Sequence, residues 1–142
     1  MALATPVPVL TIDDGTTEFV GPLDDREAMR YSYRQSIYDV PVWEEFARDG
    51  DRIDLLRVRS PDVRSIEYFR WEVPIVQEGN GWWAADAPPS DINELVIRIA
   101  PLGQQRLATP RWSCDLLARF GETVVRVRAD RRPFLLTLLS VR

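Results

Sequence analysis

The side chains of this chain that could carry chemistry are few in kind. Across 142 residues there is no histidine and no lysine, eighteen arginines supply every cationic side chain, and Cys114 is the single thiol. Ser-His-Asp and Cys-His nucleophilic sites, histidine-ligated metals, Schiff-base lysines and the lysine of a Walker-type phosphate loop are therefore excluded within the chain. A reaction here would run on carboxylates, tyrosines, arginines, the thiol or a bound cofactor. No Gly-rich phosphate loop, CxxC pair or dinucleotide fingerprint occurs, so neither a cofactor nor a metal is expected.

Three groupings of reactive residues remain. Asp13 and Asp14 adjoin Gly15, and paired carboxylates can hold a divalent cation or share a proton; Asp-Asp-Gly is also a good turn, and no further ligands follow at cation-loop spacing. Cys114 has no histidine to activate it and Asp115 beside it, which suits a small buried hydrophobe better than a nucleophile. Tyr31, Tyr33 and Tyr38 with Arg30 and Arg34 could line an anion pocket, since Arg forks and Tyr hydroxyls suit carboxylates and phosphates. The competing reading is a helix with one aromatic buried face and one solvated basic face.

Tryptophan clusters as well. Trp71, Trp82 and Trp83, three of five in the chain, fall within RWEVPIVQEGNGWWAADAPP at 70–89. Asn80-Gly81 is a strong signal for a two-residue hairpin loop. That loop would pair Gly79 with Trp82, Gln77 with Ala84 and Ile75 with Asp86. Trp71 and Trp82 would then share one face with Val73 and Ile75, and Trp83 would lie on the other. Either this is the floor of a core, with Trp83 partly exposed, or Trp83 or Trp82 anchors a partner or a glycan. Pro74 cannot donate to a ladder, so its strand lies at an edge or carries a bulge.

The elements that must position these residues follow from periodicity and punctuation. VPVLTI, a turn at Asp13-Asp14-Gly15 and TTEFV predict an N-terminal hairpin. Asp24 with Glu27, then Met29, Tyr33, Ile37 and Val40, predict a helix over 24–38. Pro41 to Gly50 reads as a second short helix with Trp43, Phe46 and Ala47 as its apolar face; Glu44 and Glu45 in its first turn would answer its dipole. IDLLRVRS is strand-like, and a long strand is read from Ile66 through IEYFRWEVPIV. The rival for that stretch is a helix begun by Ser60 and Pro61 with Val63, Ile66 and Phe69 on one side. ELVIRIA alternates as a strand. The segment 105–121 is either a short helix capped by Ser113 and stopped by Gly121 or an irregular strand. A final hairpin joins ETVVRVRA to FLLTLLSVR through a turn at Asp130-Arg131-Arg132-Pro133, and truncating its second strand should damage folding. The sum is an α+β class, mainly antiparallel sheet of about seven to nine strands with two or three short helices, in a single globular domain over 1–142.

Charge is unevenly spread. Residues 1–55 carry twelve Asp and Glu against five Arg, a balance of −7, while 101–142 carry three against eight, a balance of +5. Acidic and basic parts are expected to face one another in one fold. An acidic pI near 4.9 disfavours nucleic acid as a partner. The first residues, MALATPVPVLTIDD, do not resemble a secretion signal, and no apolar run here reaches the length of a membrane span, so a soluble cytoplasmic protein is expected, which a single cysteine also suits. With the usual catalytic residues missing and Trp and Arg plentiful, the leading expectation is a non-catalytic protein-interaction module. It would be a structural or accessory subunit that binds another protein or copies of itself through Trp82, Trp83, Tyr68 and Arg70. The alternatives are a small enzyme or small-molecule-binding domain with a pocket between helices and sheet at Arg30, Tyr31, Arg34 and Tyr38, and carbohydrate recognition by an exposed tryptophan.

Overall fold

The structure, a computed structural model, describes residues 5–90 and 93–133. Its strands are β1 (Pro6–Asp13), β2 (Glu18–Pro22), β3 (Ala28–Gln35), β4 (Val40–Asp49), β5 (Arg52–Ser60), β6 (Ile75–Gln77), β7 (Trp83–Asp86), β8 (Leu95–Arg98), β9 (Arg106–Ala108), β10 (Ser113–Asp115) and β11 (Val124–Pro133). The helices are α1 (Val63–Glu67) and α2 (Leu116–Phe120). A four-stranded sheet has the order β2-β1-β11-β8 and a seven-stranded sheet the order β10-β9-β3-β4-β5-β7-β6. Strand pairing is antiparallel throughout the described residues. The antiparallel sheet and the two short helices agree with expectation, but the balance is mostly sheet rather than α+β, with eleven strands among the described residues.

Alternation along the strands builds the interior. The main apolar cluster takes Leu10, Ile12, Phe19, Ile97, Val125 and Val127 from the smaller sheet and Met29, Tyr31, Phe46, Ile53, Leu107 and Cys114 from the larger one. The two sheets thus share one core, and large fully buried side chains such as Phe19 and Phe46 supply ~1.5–3 kcal/mol each of burial free energy. Gly21 lets β2 approach closely: a Cβ there would lie 2.6 Å from the Trp112 ring, whose Nε1 donates to the Pro22 carbonyl at 2.8 Å. A second cluster, Val42, Val58, Ile66 and Ala85, has Tyr33, Phe69, Trp71, Ile75 and Trp83 against it. It continues the inward face of the larger sheet beyond the reach of the smaller one, under α1 and the segment after it.

The helices read over 24–38 and from Pro41 to Gly50 are strands β3 and β4, which pair with Tyr33 opposite Val42 and Tyr31 opposite Glu44. Met29, Tyr31 and Tyr33 alternate with Arg30, Ser32 and Arg34, a period of two that competes with the helical spacing. Ile37, needed for a helical stripe, is 55% exposed. Glu44 and Glu45 answer no helix dipole; as neighbours on a strand they point to opposite faces of the sheet.

The tryptophan hairpin is one residue out of the expected register. Ile75 pairs with Ala85 and Gln77 with Trp83, because the loop has three residues. The Glu78 N–H donates to the Trp82 carbonyl at 2.6 Å, the Gly81 N–H to the Glu78 carbonyl at 3.0 Å, and the Trp82 N–H to Asn80 Oδ1 at 2.9 Å. Gly81 takes φ +87°, the left-handed residue that closes such a loop. A one-residue slip exchanges faces: Trp83 now joins Trp71 and Ile75 in the second cluster, and Trp82 faces the other way. Because an L side chain is strained at this φ, Gly81→Ala should lower stability by about 1 kcal/mol in urea unfolding without altering the core.

Elsewhere the pattern is mixed. β6 ends the sheet, as Pro74 requires. Residues 63–67 are helical, with the Asp62 carboxylate accepting from the Arg64 N–H as N-cap, so the helical alternative holds there and no long strand runs from Ile66. Segment 113–120 is a short strand followed by a helix capped by Asp115, not Ser113, with Gly121 at its end. β11 continues through Asp130–Pro133, where a turn was expected, and pairs with β1 along its length; the strand read over 134–142 lies outside the described residues. Acidic and basic parts do meet: Arg132 Nη1 donates to Glu18 Oε1 at 2.8 Å and Arg111 to both carboxylate oxygens of Glu27.

Candidate functional site

Two clusters of polar and aromatic side chains stand out, one on each face of the larger sheet. On the outward face, β3, β4 and β5 place Arg30 opposite Glu45, Glu45 opposite Arg57, and Trp43 opposite Arg59. The Arg30 guanidinium stacks 3.8 Å from the Trp43 ring centroid. Trp82 reaches over from the hairpin to put its ring 4.4 Å from that of Trp43. Arg59 lies 5.4 Å and 5.9 Å from the two rings, and its Nε donates to Glu78 Oε1 at 2.6 Å. Arg57 Nε donates to Glu45 Oε1 at 3.0 Å. Around this group the outward residues are small, with Ala28, Ser32, Ala47, Ala84 and Ala108 at neighbouring positions. Two half-buried indoles and their stacked guanidinia therefore stand on a face that mixes small residues with charged ones such as Glu45 and Arg57.

On the inward face, the Glu44 carboxyl lies between the two apolar clusters. Desolvation pushes its pKa up from the ordinary carboxylate value, and interaction with the nearby Tyr33 hydroxyl opposes the rise. Burial likewise pushes the Tyr31 hydroxyl up to about 12, with the Gln105 hydrogen bond opposing. Gln105 Nε2 donates to Tyr31 Oη at 2.9 Å and to the Arg98 carbonyl at 2.8 Å; its Oε1 accepts from the Ala100 N–H at 2.8 Å. The Tyr31 and Tyr33 rings are 4.9 Å apart. Tyr33 and Gln105 also line a cleft of about 400 Å³, together with Arg34, Gln35, Leu102 and Gly103. A cleft walled by Tyr33 and Gln105 beside the Arg34–Asp39 ion pair can take a small hydrogen-bonding ligand.

The residues singled out from sequence are redistributed by β3 and the hairpin. Arg30 and Tyr31 point to opposite faces of one strand. Arg34 is engaged by Asp39, its Nε donating to Oδ1 at 2.6 Å, and Tyr38 lies under the Arg64 guanidinium at 4.4 Å. The four do not form one pocket, and the carboxylate facing Tyr31 and Tyr33 reverses the polarity expected there. Among the interface candidates, Trp82 is on the outward face while Trp83 is packed inward. Tyr68, 59% exposed, and exposed Arg70 follow α1 on the Trp83 side of the sheet. Trp43, Arg59, Glu44 and Gln105 were not singled out. For Trp43 and Glu44 the signal was the run VPVWEEF read with period two, which sets Trp43 and Glu45 against Val42, Glu44 and Phe46.

Asp13 and Asp14 make a turn: Asp13 Oδ1 accepts from the Gly15 N–H, and Asp14 Oδ1 accepts from the N–H groups of Thr16 at 2.8 Å and Thr17 at 2.6 Å. The backbone donors of Thr17 and Thr16 hold the Asp14 carboxyl below its ordinary pKa. Cys114 is buried in the core, and desolvation pushes its thiol pKa up, against the pull of Arg119. Among the described residues no group of three or more His, Cys, Asp or Glu side chains is placed to hold a metal ion.

Fold and site together define a two-sheet antiparallel protein with an aromatic-arginine outer face and an inward carboxylate-tyrosine cluster. No protein-family model, curated protein or solved structure matches the chain.

Proposed function

We propose that this chain is a non-catalytic protein-interaction module, a structural or accessory subunit of a larger assembly, whose partner is another protein or further copies of itself. The observation that carries the reading is the Arg30-Trp43-Trp82-Arg59 stack on the outward face of the larger sheet. Solvated sheet faces are ordinarily polar, whereas Trp and Arg are the residues that anchor interfaces. Their stacking also restrains them before a partner arrives, which reduces the ordering cost of association. The interface of this reading is Trp82 with Trp43, Arg30 and Arg59; Trp83 serves the core, and Tyr68 and Arg70 lie across the sheet.

The carbohydrate reading loses ground to the same geometry, since Arg30 covers a face of Trp43 that a sugar ring would use. Nucleic acid fits poorly because Arg57 and Arg59 are engaged by Glu45 and Glu78, which offsets the charge that phosphates would seek. The small-ligand reading keeps one specific support, the cleft of about 400 Å³ walled by Tyr33 and Gln105. Among the described residues no helix is long and apolar enough to cross a membrane, and a buried lone thiol suits the cytoplasm we assign to the protein.

Isolation of the tagged protein from its native cells at native expression, followed by native mass spectrometry, tests the proposal. A stoichiometric complex or homo-oligomer is expected, and Trp43→Ser combined with Arg30→Ala should weaken it at least tenfold while circular dichroism shows an intact fold. A monomer free of partners, or a folded double variant that assembles as well as wild type, would count against it.

A further inference from the structure

We infer that the outward face of the larger sheet binds a second copy of this chain, face to face about a two-fold axis parallel to the strands and midway between β4 and β5. This rests on the interaction reading above and commits it to self-association. The register sets Arg30 opposite Glu45, Glu45 opposite Arg57, and Arg57 opposite Asp86. Directly paired residues project from one face, so β3, β4, β5 and β7 carry a row of alternating charge: plus, minus, plus, minus. The inner two members are bonded to each other, Arg57 Nε to Glu45 Oε1 at 3.0 Å, and Arg59 approaches Glu45 at 4.0 Å. The outer two, Arg30 and Asp86, are exposed and have no ion pair among the described residues. The Arg30 guanidinium is instead fixed by its stacking on Trp43 at 3.8 Å.

The row is its own complement. A two-fold rotation about that axis reverses the strand order and keeps the strand direction, so β3 of one copy lies over β7 of the other and β4 over β5. Arg30 then faces Asp86 of the second copy and Glu45 faces its Arg57, each pairing occurring twice. Facing sheets stand ~10 Å apart, a gap that an arginine from one side and a carboxylate from the other can span. In the neighbouring row Ser32 is opposite Trp43, Trp43 opposite Arg59, and Arg59 opposite Ala84. The same rotation sets Trp43 against Arg59 of the second copy, which extends the cation–π stack across the interface, and small Ser32 against small Ala84. Ala28, Ala47 and Ala108 beside these rows are small as well, which lets the two sheets approach. Seven strands ~4.8 Å apart, three of them of eight to ten residues, give a face on the order of 700 Å². Each partner contributes ~800 Å² to a standard interface, so the face is large enough. A foreign acidic partner would answer Arg30 and leave Asp86, whereas a second copy answers both with one operation.

Sedimentation velocity of the purified full chain over a micromolar concentration series tests the inference, and a reversible dimer is expected. Arg30→Glu sets a carboxylate against Asp86 of the second copy, and Asp86→Arg sets a guanidinium against its Arg30. Each variant alone should dimerise about tenfold or more weakly than wild type, with circular dichroism showing an intact fold. Mixing the two variants should recover most of that loss, because in the mixed dimer both outer contacts again join opposite charges. Three results would each overturn the two-fold pairing: a wild-type chain that stays monomeric throughout the series, folded single variants that dimerise as well as wild type, or two folded variants that stay apart when mixed. A monomeric purified chain that still carries a stoichiometric foreign protein when isolated from cells would leave the interaction reading standing without this pairing. A chain alone in both experiments would remove both.

Discussion

Arg48→Ala is expected to lower folding stability by about 3–5 kcal/mol, a loss on the scale of breaking a buried ion pair or network. Arg48 lies near the end of β4 on the inward face and is 4% exposed. Its Nη1 reaches across to the smaller sheet, donating to the Val9 carbonyl of β1 at 2.6 Å and the Asp130 carbonyl of β11 at 3.0 Å. Hydrogen bonds from a charged donor contribute ~1.5–3 kcal/mol each, and the arginine stem fills space between the sheets. Desolvation and the Arg131 charge pull its pKa down while Asp25, Asp130 and Asp24 oppose them, and the guanidinium stays charged at neutral pH. Alanine would leave two carbonyls without this donor and a void beside them. Arg48→Lys should recover part of the loss, because one ammonium keeps the charge but lacks the planar fork. Urea unfolding at neutral pH gives the result directly; a cost below about 1 kcal/mol for Arg48→Ala would mean that the inter-sheet clamp contributes little.

Arg48 and Glu44 also show why parts of the fold were legible from sequence and others were not. The N-terminal hairpin, β5 and β8 announce themselves through apolar alternation and Gly or Pro punctuation, and the structure keeps them. β4 does not, because its inward positions include Glu44 and Arg48 while an outward position holds Trp43. That inversion of apolar-in, polar-out makes VPVWEEFARD resemble an amphipathic helix with Trp43, Phe46 and Ala47 on one side. The residues that spoil the pattern do more than fill the core: Arg48 bonds across to the smaller sheet, Glu44 is a desolvated carboxyl, and Trp43 stacks with Arg30 and Trp82 on the outward face. The tryptophan question turned on a finer detail. Asn80-Gly81 correctly marked a hairpin, but whether its loop has two residues or three is decided by the Glu78 N–H reaching the Trp82 carbonyl, and composition carries no signal for that. One residue of register decided which indole joined the core. The cleft was illegible for another reason: Tyr33 and Gln105 are far apart in sequence, and the pairing of β3 with β9 is what brings their segments together.

The Glu44 environment leads to a pH dependence of definite sign. Its carboxyl has a folded-state pKa raised above the unfolded value, chiefly by desolvation. The folded state therefore holds the proton more tightly, and this group's contribution is most favourable below the unfolded pKa of ~4.3 and is lost as pH rises through the folded value. Other carboxylates act oppositely. The pKa values of Asp39 and Asp62, paired with Arg34 and Arg64, and of Asp14, held by backbone donors, are depressed, so their stabilisation is lost on acidification. The raw wild-type profile mixes both trends, and the difference between wild type and Glu44→Gln isolates one of them. Tyr33 and Tyr31 are the titratable neighbours that act on Glu44 or feel it, and both stay protonated across the acid and neutral range. Glutamine keeps an acceptor for Tyr33 and carries no charge, so Glu44→Gln should be more stable than wild type by about 1–3 kcal/mol at pH 8, the scale of an incompletely satisfied buried group. The variant should then melt higher by about 3 °C per kcal/mol, and its advantage should shrink toward zero near pH 4. Thermal melts of both proteins across this range provide the test. An advantage that stayed constant with pH would assign the gain to packing, and a variant less stable at pH 8 would mean that the ionised carboxylate is satisfied in the fold.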